Sequence, residues 1–153
     1  MARLFGTDGV RGIANTELTP ELAFRLGWAA AWYFGREQKK PTFLIGRDTR
    51  VSGQMLEAAL CAGICSAGGN ATVLGVIPTP GVAWLTSSSD AAAGVVISAS
   101  HNPMEFNGIK FFDGSGYKLP DALEDEIEAL IKSNMAGISM PIGTGIGKIK
   151  YRT

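Results

Sequence analysis

Three short, almost uninterrupted apolar runs, Thr42-Phe43-Leu44-Ile45, Thr72-Val73-Leu74 continuing into Val76-Ile77, and Gly94-Val95-Val96-Ile97, are separated by stretches with helical spacing. This alternation constrains the fold more than any other feature of the chain. A strand covered on one face alternates apolar and polar residues, whereas a strand covered on both faces reads as a continuous apolar run. Strands of the second kind, alternating with helices, are the pattern of an α/β layer fold with a largely parallel sheet.

The helices between the runs have their own signals. Thr19-Pro20-Glu21 supplies an N-cap, a proline in the first turn and an early acid. Apolar residues follow at Leu22, Leu26, Ala29, Ala30 and Tyr33, and Gly35 stops the helix. Ser52 is the expected cap of a second helix running through Met55, Leu56, Ala59 and Leu60 to Gly68-Gly69. Thr79-Pro80 opens a short helix with Val82, Trp84 and Leu85, and Ile109-Lys110-Phe111-Phe112 is a fourth strand ending in the turn Asp113-Gly114-Ser115-Gly116. The last helix carries Leu123, Ile127, Leu130 and Ile131 on one face. Its acids, Asp121, Glu124, Asp125, Glu126 and Glu128, read as a solvated face.

Composition narrows the function. At 153 residues, 46% hydrophobic and 18% charged, the chain suits one ordinary domain with a real core and is too apolar for disorder. Lys plus Arg and Asp plus Glu are 14 each, so the basic excess typical of a nucleic-acid binder is missing. No apolar run approaches membrane-spanning length, and the N-terminus has no signal-peptide core, so no membrane partner and a cytoplasmic location are expected. Cys61 and Cys65 are too few for a disulfide framework or a zinc site and read as small buried hydrophobes.

The segment with most chemistry is Ser98-Ala99-Ser100-His101-Asn102-Pro103, which follows an apolar strand directly. It therefore lies at a strand's carboxyl end, where open α/β sheets bind ligands. Asn102 precedes a proline and is pushed out of helical conformation, leaving Ser100 and His101 in a short bend. A serine hydrolase would need a base bonded to the hydroxyl; the sole histidine is the next residue, whose side chain on an extended chain points the other way, and no G-x-S-x-G elbow is present. A phosphoryl carrier remains, as does a plain turn in which the serine satisfies the backbone.

Three other segments bear on that choice. Phe5-Gly6-Thr7-Asp8-Gly9-Val10-Arg11-Gly12 fixes a guanidinium between flexible glycines. Gly46-Arg47-Asp48-Thr49-Arg50-Val51-Ser52-Gly53 follows a strand and opens a helix, a setting that suits an anion or, equally, an Asp–Arg pair holding a loop. In Asn107-Gly108-Ile109-Lys110-Phe111 a lysine interrupts an apolar strand and either points to solvent or serves the site.

Together, the Phe5–Gly12, Gly46–Arg50 and Ser98–Pro103 motifs resemble the alpha-D-phosphohexomutase superfamily, over essentially the whole chain from Arg3 to about Ile149. The Phe-Gly-Thr-Asp-Gly-Val-Arg-Gly form and Met104-Glu105-Phe106-Asn107-Gly108-Ile109-Lys110-Phe111-Phe112 point to its bacterial glucosamine-phosphate branch. The resemblance implies a four-stranded, mixed but mostly parallel sheet between helices in three layers, with the last strand antiparallel. It implies that Ser100 carries the phosphoryl group and, through that phosphate, ligates Mg²⁺. Arg11 matches a site arginine, and His101 and Lys110 match residues with general acid/base roles. Thr7, Asp8, Asn102, Arg47 and Asp48 are expected at the substrate or its phosphate. The implied reaction interconverts glucosamine 6-phosphate and glucosamine 1-phosphate through a 1,6-bisphosphate. The same domain of a glucose or mannose phosphomutase, and a non-catalytic sugar-phosphate-binding module, are the alternatives.

Family members have four domains, and the second supplies a metal loop of closely spaced aspartates. Here no Asp-x-Asp pair occurs, and one serine phosphate cannot satisfy Mg²⁺ alone. The expectation is a first domain over residues 1–140, with 141–153 as a linker or the start of a second domain, inactive by itself. Its partners would be the phosphosugar, the remaining domains and, for the parent chain, a second copy in a homodimer. Gly143-x-Gly145-x-Gly147 lacks the spacing and the following helix of a dinucleotide fingerprint.

Overall fold

A computed structural model of the chain describes residues 4–152. The elements in order are β1 (Val10–Ile13), α1 (Pro20–Gly35), β2 (Thr42–Arg47), α2 (Val51–Ser66), β3 (Asn70–Val76), α3 (Thr79–Ser87), β4 (Ala93–Ile97), β5 (Phe106–Asp113), α4 (Asp121–Lys132) and β6 (Ile149–Tyr151), with a short 3₁₀ turn at Gly143–Gly145. The described strands form one sheet in the order β1-β5-β4-β2-β3-β6. Pairing is parallel between β4, β2, β3 and β6 and antiparallel on both sides of β5.

The sheet is mixed and mostly parallel between helices, as expected, but it has six strands rather than four. The two additions have different causes. β1 lies in the Phe5–Gly12 motif, where Arg11 and Gly12 hide a buried–exposed alternation that becomes a strand only by pairing Val10 with Ile109. β6 is exposed at all three residues and continues the edge beside β3, through Thr72 opposite Lys150.

Strand alternation sends side chains to two helix layers. Phe43, Ile45, Val95, Ile97 and Phe111 join the larger core with α1, α2 and α4. Val96 and Phe112 face the other way, against Val82 of α3. Helix α1 starts as its sequence predicts: Leu22 N–H donates to Thr19 Oγ at 3.1 Å, and Pro20 occupies the first turn. Helix α2 corrects the expectation at Ser52. Its N-cap position is Arg50 without a side-chain cap, while Ser52 Oγ accepts a hydrogen bond from Asn107 Nδ2 at 2.9 Å. Helices α1 and α2 meet through two glycines: a methyl on Gly27 would stand 2.4 Å from Leu60 O, and one on Gly63 would stand 2.0 Å from Phe24 O.

The acidic face of α4 is only partly solvated, another correction. Glu124 and Glu128 are buried. Lys118 Nζ meets Glu124 Oε1 at 3.0 Å. Glu128 Oε1 accepts from Leu4 N–H at 2.8 Å and from Phe5 N–H at 3.4 Å, and Glu128 Oε2 pairs with Lys132 at 3.0 Å. Burial alone would raise the Glu128 pKa, but the hydrogen bond from Lys132, those from Leu4 and Phe5, and the Lys132 charge hold it below the ordinary value. Phe5, edge-on to Phe111 with centroids 6.3 Å apart, completes this anchorage of the chain entering the Gly6–Gly12 loop.

Candidate active site

The site gathers at the carboxyl ends of β2 and β4, where the chain leaves the sheet. Asp48 N–H donates to Ile97 O at 3.0 Å, which joins the β2–α2 turn to the start of the serine loop. That loop, residues 98–105, lies between β4 and β5. Ser100 N–H donates to Ser98 Oγ at 3.1 Å, and Asn102 N–H donates to Ala99 O at 3.1 Å. Ser100 itself has φ +57°, a left-handed conformation that only a minority of non-glycine residues adopt and that the surroundings must impose. The residue with most chemistry in the sequence is thus held in a strained turn and exposed.

Ser100 stands on the rim of two depressions. One, of about 190 Å³, is lined by Asp8, Arg11, Thr79, Val96, Ser98 and Lys110 together with Ser100. The other, of about 290 Å³, is lined by Asp48, Thr49, Arg50, Asn102 and Met104 together with Ser100. The first collects two cations beside the serine. Arg11 reaches it because β1 lies antiparallel to β5 with Arg11 opposite Gly108. A side chain at Gly108 would meet Ser98 O at 2.8 Å and Arg11 Cγ at 2.9 Å, so the bare glycine is what lets the arginine lie across the strand. Gly9 turns the chain into β1 with φ +85°, and a methyl there would sit 2.3 Å from Ile109 O. Lys110 projects on the same side of β5 as Phe112, with Nζ 5.6 Å from that ring's centroid, opposite Val96 of β4. The lysine that interrupts an apolar strand therefore faces the serine.

The remaining expected residues distribute as follows. Thr7 is exposed in the turn closed by the Gly6–Gly9 bridge and does not line either depression. His101 is exposed and also lines neither. Asn102 and Asp48 share the second depression. Arg47 turns away toward α2, with Nε 3.2 Å from Glu57 Oε2. Burial pushes the Glu57 carboxyl above its ordinary pKa, and the charge and hydrogen bond of Arg47 oppose that rise.

Three residues were missed by reading the sequence. Ser98 supplies the hydroxyl that supports the Ser100 amide. Asn107 is fully buried, donates to Ser52 Oγ, and accepts from Gly108 N–H at 2.8 Å; an asparagine inside an apolar strand is the signal for it. Arg50 bonds to the serine loop at several points; the sequence offered an Asp–Arg pair holding its own loop, which Asp48 and Arg50 form, but nothing local marks the distant carbonyls.

The chain matches the family described as phosphoglucomutase/phosphomannomutase, alpha/beta/alpha domain I, over residues 2–137. It is 60% identical over 148 residues to the phosphoglucosamine mutase of Clostridium acetobutylicum, covering 97% of this chain and 33% of that protein. It is also 60% identical over 151 residues to the phosphoglucosamine mutase of Desulforamulus reducens, covering 99% of this chain and 34% of the relative. The chain thus spans about a third of the length of the curated relatives it matches. Among solved structures, a phosphoglucomutase/phosphomannomutase family protein from Burkholderia thailandensis superposes with TM-score 0.76 at 25% identity, over 93% of this chain and 31% of the other.

Proposed function

The chain belongs to the phosphoglucomutase/phosphomannomutase family, as its alpha/beta/alpha domain I, and from that premise we propose that it is the phosphoserine domain of an enzyme interconverting glucosamine 6-phosphate and glucosamine 1-phosphate. The observation that carries the reading is Ser100, left-handed and exposed, sharing a depression with Arg11 and Lys110. The phosphoglucosamine mutases at 60% identity support the choice of sugar.

In the proposed cycle Ser100 Oγ carries the phosphoryl group. The 1-hydroxyl of glucosamine 6-phosphate attacks phosphorus, the Oγ–P bond breaks as the O1–P bond forms, and Lys110 or His101 takes the hydroxyl proton and delivers it to the departing Oγ. The resulting 1,6-bisphosphate turns over in the site. Ser100 Oγ then gives that proton up as it attacks the phosphorus on O6, the O6–P bond breaks, and the proton passes to O6 as glucosamine 1-phosphate leaves. Such transfers ask for positioning and charge neutralisation more than covalent help. Arg11 provides a fixed guanidinium for the phosphoryl oxygens. Thr7, Asp8, Asn102, Arg47 and Asp48 are the proposed substrate-side residues, Arg47 acting through the turn it holds with Glu57.

Toward Mg²⁺ this chain would contribute only phosphate oxygens on Ser100. No three His, Cys, Asp or Glu side chains gather to hold an ion among the described residues. The residues present therefore do not fit a resident divalent ion, and no step is derived through one. Residues 1–140 form the proposed first domain, with the sugar and further domains of the parent chain as its partners. No described helix is long and apolar enough to cross a membrane.

The test is phosphopeptide mass spectrometry of the full-length protein before and after a brief chase. Phosphate on Ser100 discharged faster by glucosamine 6-phosphate than by glucose 6-phosphate supports both carrier and sugar. Faster discharge by the glucose ester keeps the carrier and overturns the sugar. A Ser100 that no bisphosphate can load overturns the phosphoserine reading.

A further inference from the structure

Arg50 ties the start of α2 to the serine loop. Its guanidinium reaches from the N-cap position of α2 into the serine loop and is about one-tenth exposed. Nε donates to Asp48 Oδ2 at 3.1 Å. Nη1 donates to the carbonyls of Pro103 and, at 3.0 Å, Phe106. Nη2 donates to the carbonyls of Ser100 at 3.0 Å and Asn102 at 2.8 Å. A guanidinium has five N–H donors in a rigid plane, and these contacts occupy them all. Its charge is met by Asp48, whose other oxygen accepts from Arg50 N–H at 3.1 Å. Arg50 therefore has no N–H left for a phosphate, although its motif reads as an anion-binding turn.

From this geometry we propose that Arg50 is a positioning residue for phosphoryl transfer, one that sets the conformation of Ser100 by holding four backbone carbonyls of residues 100–106. The proposal rests on the phosphoserine reading above. The left-handed turn at Ser100 is supported locally by the Ser98 hydroxyl and the short turn to Asn102. Arg50 adds the long-range constraint, because its own backbone is fixed by α2 and by Asp48. It grips the main chain on both sides of Pro103 and does not touch the serine hydroxyl, which stays available to the depression with Arg11 and Lys110. The requirement is for a planar fork rather than for positive charge. A lysine there keeps the charge, but a single ammonium cannot span carbonyls spread over four residues.

The experiment compares Arg50→Lys and Arg50→Ala with wild type in the full-length enzyme, reading kcat and KM separately together with peptide-level hydrogen exchange. Both variants are expected to lose kcat by about 100-fold with KM within about threefold, since the loss lies in alignment rather than in sugar binding. Exchange over residues 99–106 is expected to quicken at least about tenfold while β2 to β4 stay as protected as in wild type. Arg50→Lys with wild-type kcat, or exchange that quickens evenly across the domain, overturns the proposal. A wild-type enzyme whose Ser100 never takes phosphate overturns the phosphoserine reading instead, and the exchange pattern of the variants then decides the clamp by itself.

Discussion

Replacing Gly108 by alanine adds one methyl at the point where three parts of the site touch. The added carbon would stand 2.8 Å from Ser98 O, 2.9 Å from Arg11 Cγ and 3.5 Å from Val10 O. Ordinary contact begins near 3.4 Å, so Ser98 O must retreat by about 0.6 Å and Arg11 Cγ by about 0.5 Å in a close-packed setting. Gly108 has no left-handed φ, so alanine brings no backbone strain of its own and the effect is one of crowding. The arginine stem can bend, but Ser98 is less free: its N–H donates to Gly108 O at 2.9 Å, and its hydroxyl supports the Ser100 amide. Overpacking of this kind costs about 2 kcal/mol, a fall in Tm of about 4–8 °C for a domain of this size. A shift of half an ångström at Ser98 and Arg11 should lower kcat by about tenfold, scaled from the hundredfold that a full ångström can cost. The assay is steady-state turnover of the full-length enzyme beside thermal unfolding. Gly35→Ala is the control, since nothing lies closer than 3.8 Å to its added carbon and the α1 end gains helix propensity. Gly108→Ala with wild-type kcat and Tm would refute the argument that this glycine sets the approach of β1 to the serine loop.

Gly63→Ala should be more costly still, at about 3 kcal/mol or more, because the methyl meets Phe24 O at 2.0 Å and two helix backbones must part; thermal unfolding checks it. Acid should unfold the domain partly through Glu128, whose folded pKa lies below its unfolded value: its contribution is complete above pH of about 4.3 and is lost as pH falls through the lower folded value. Glu128→Gln should lose about 1–2 kcal/mol at neutral pH and show a flatter acid limb, read by unfolding at a series of pH values. Cys61, its thiol pushed up to about 12 chiefly by burial and then by the charges of Glu57 and Cys65, should resist iodoacetamide at pH of about 8 until the protein is unfolded, as intact-mass measurement would show.

The sequence made some parts of this molecule legible because the information was local. Phe43-Leu44-Ile45 and Val95-Val96-Ile97 are covered on both faces, and a continuous apolar run is the direct imprint of that. The serine loop stood out because such a run ends in Ser-Ala-Ser-His-Asn-Pro, and Lys110 because a cation breaks an apolar strand. What stayed hidden depends on partners distant in the chain. Val10–Ile13 becomes a strand only against Phe106–Ile109. Periodicity placed Glu124 and Glu128 on a helix but could not say that Lys118 and the amides of Leu4 and Phe5 would draw them inward. Arg50 looked like one more polar residue in a turn, since its carbonyl acceptors lie about fifty residues further on.

The position of β1 at the sheet's edge has a consequence in time as well as in space. The first described strand finds its partner in β5, about a hundred residues further along the chain, with Val10 opposite Ile109. Closing so long a loop is entropically dearer and slower than pairing β2 with β3 or packing α1 on α2. We therefore predict that β1 amides gain protection last in pulse-labelled refolding, and that equal protection of β1 and β2 at the earliest times would disprove it. If β1 docks last, a nascent chain displays its serine loop before Arg11 arrives. Maturation of the fold and the chemical readiness of Ser100 then become one event, timed by the slowest seam in the sheet.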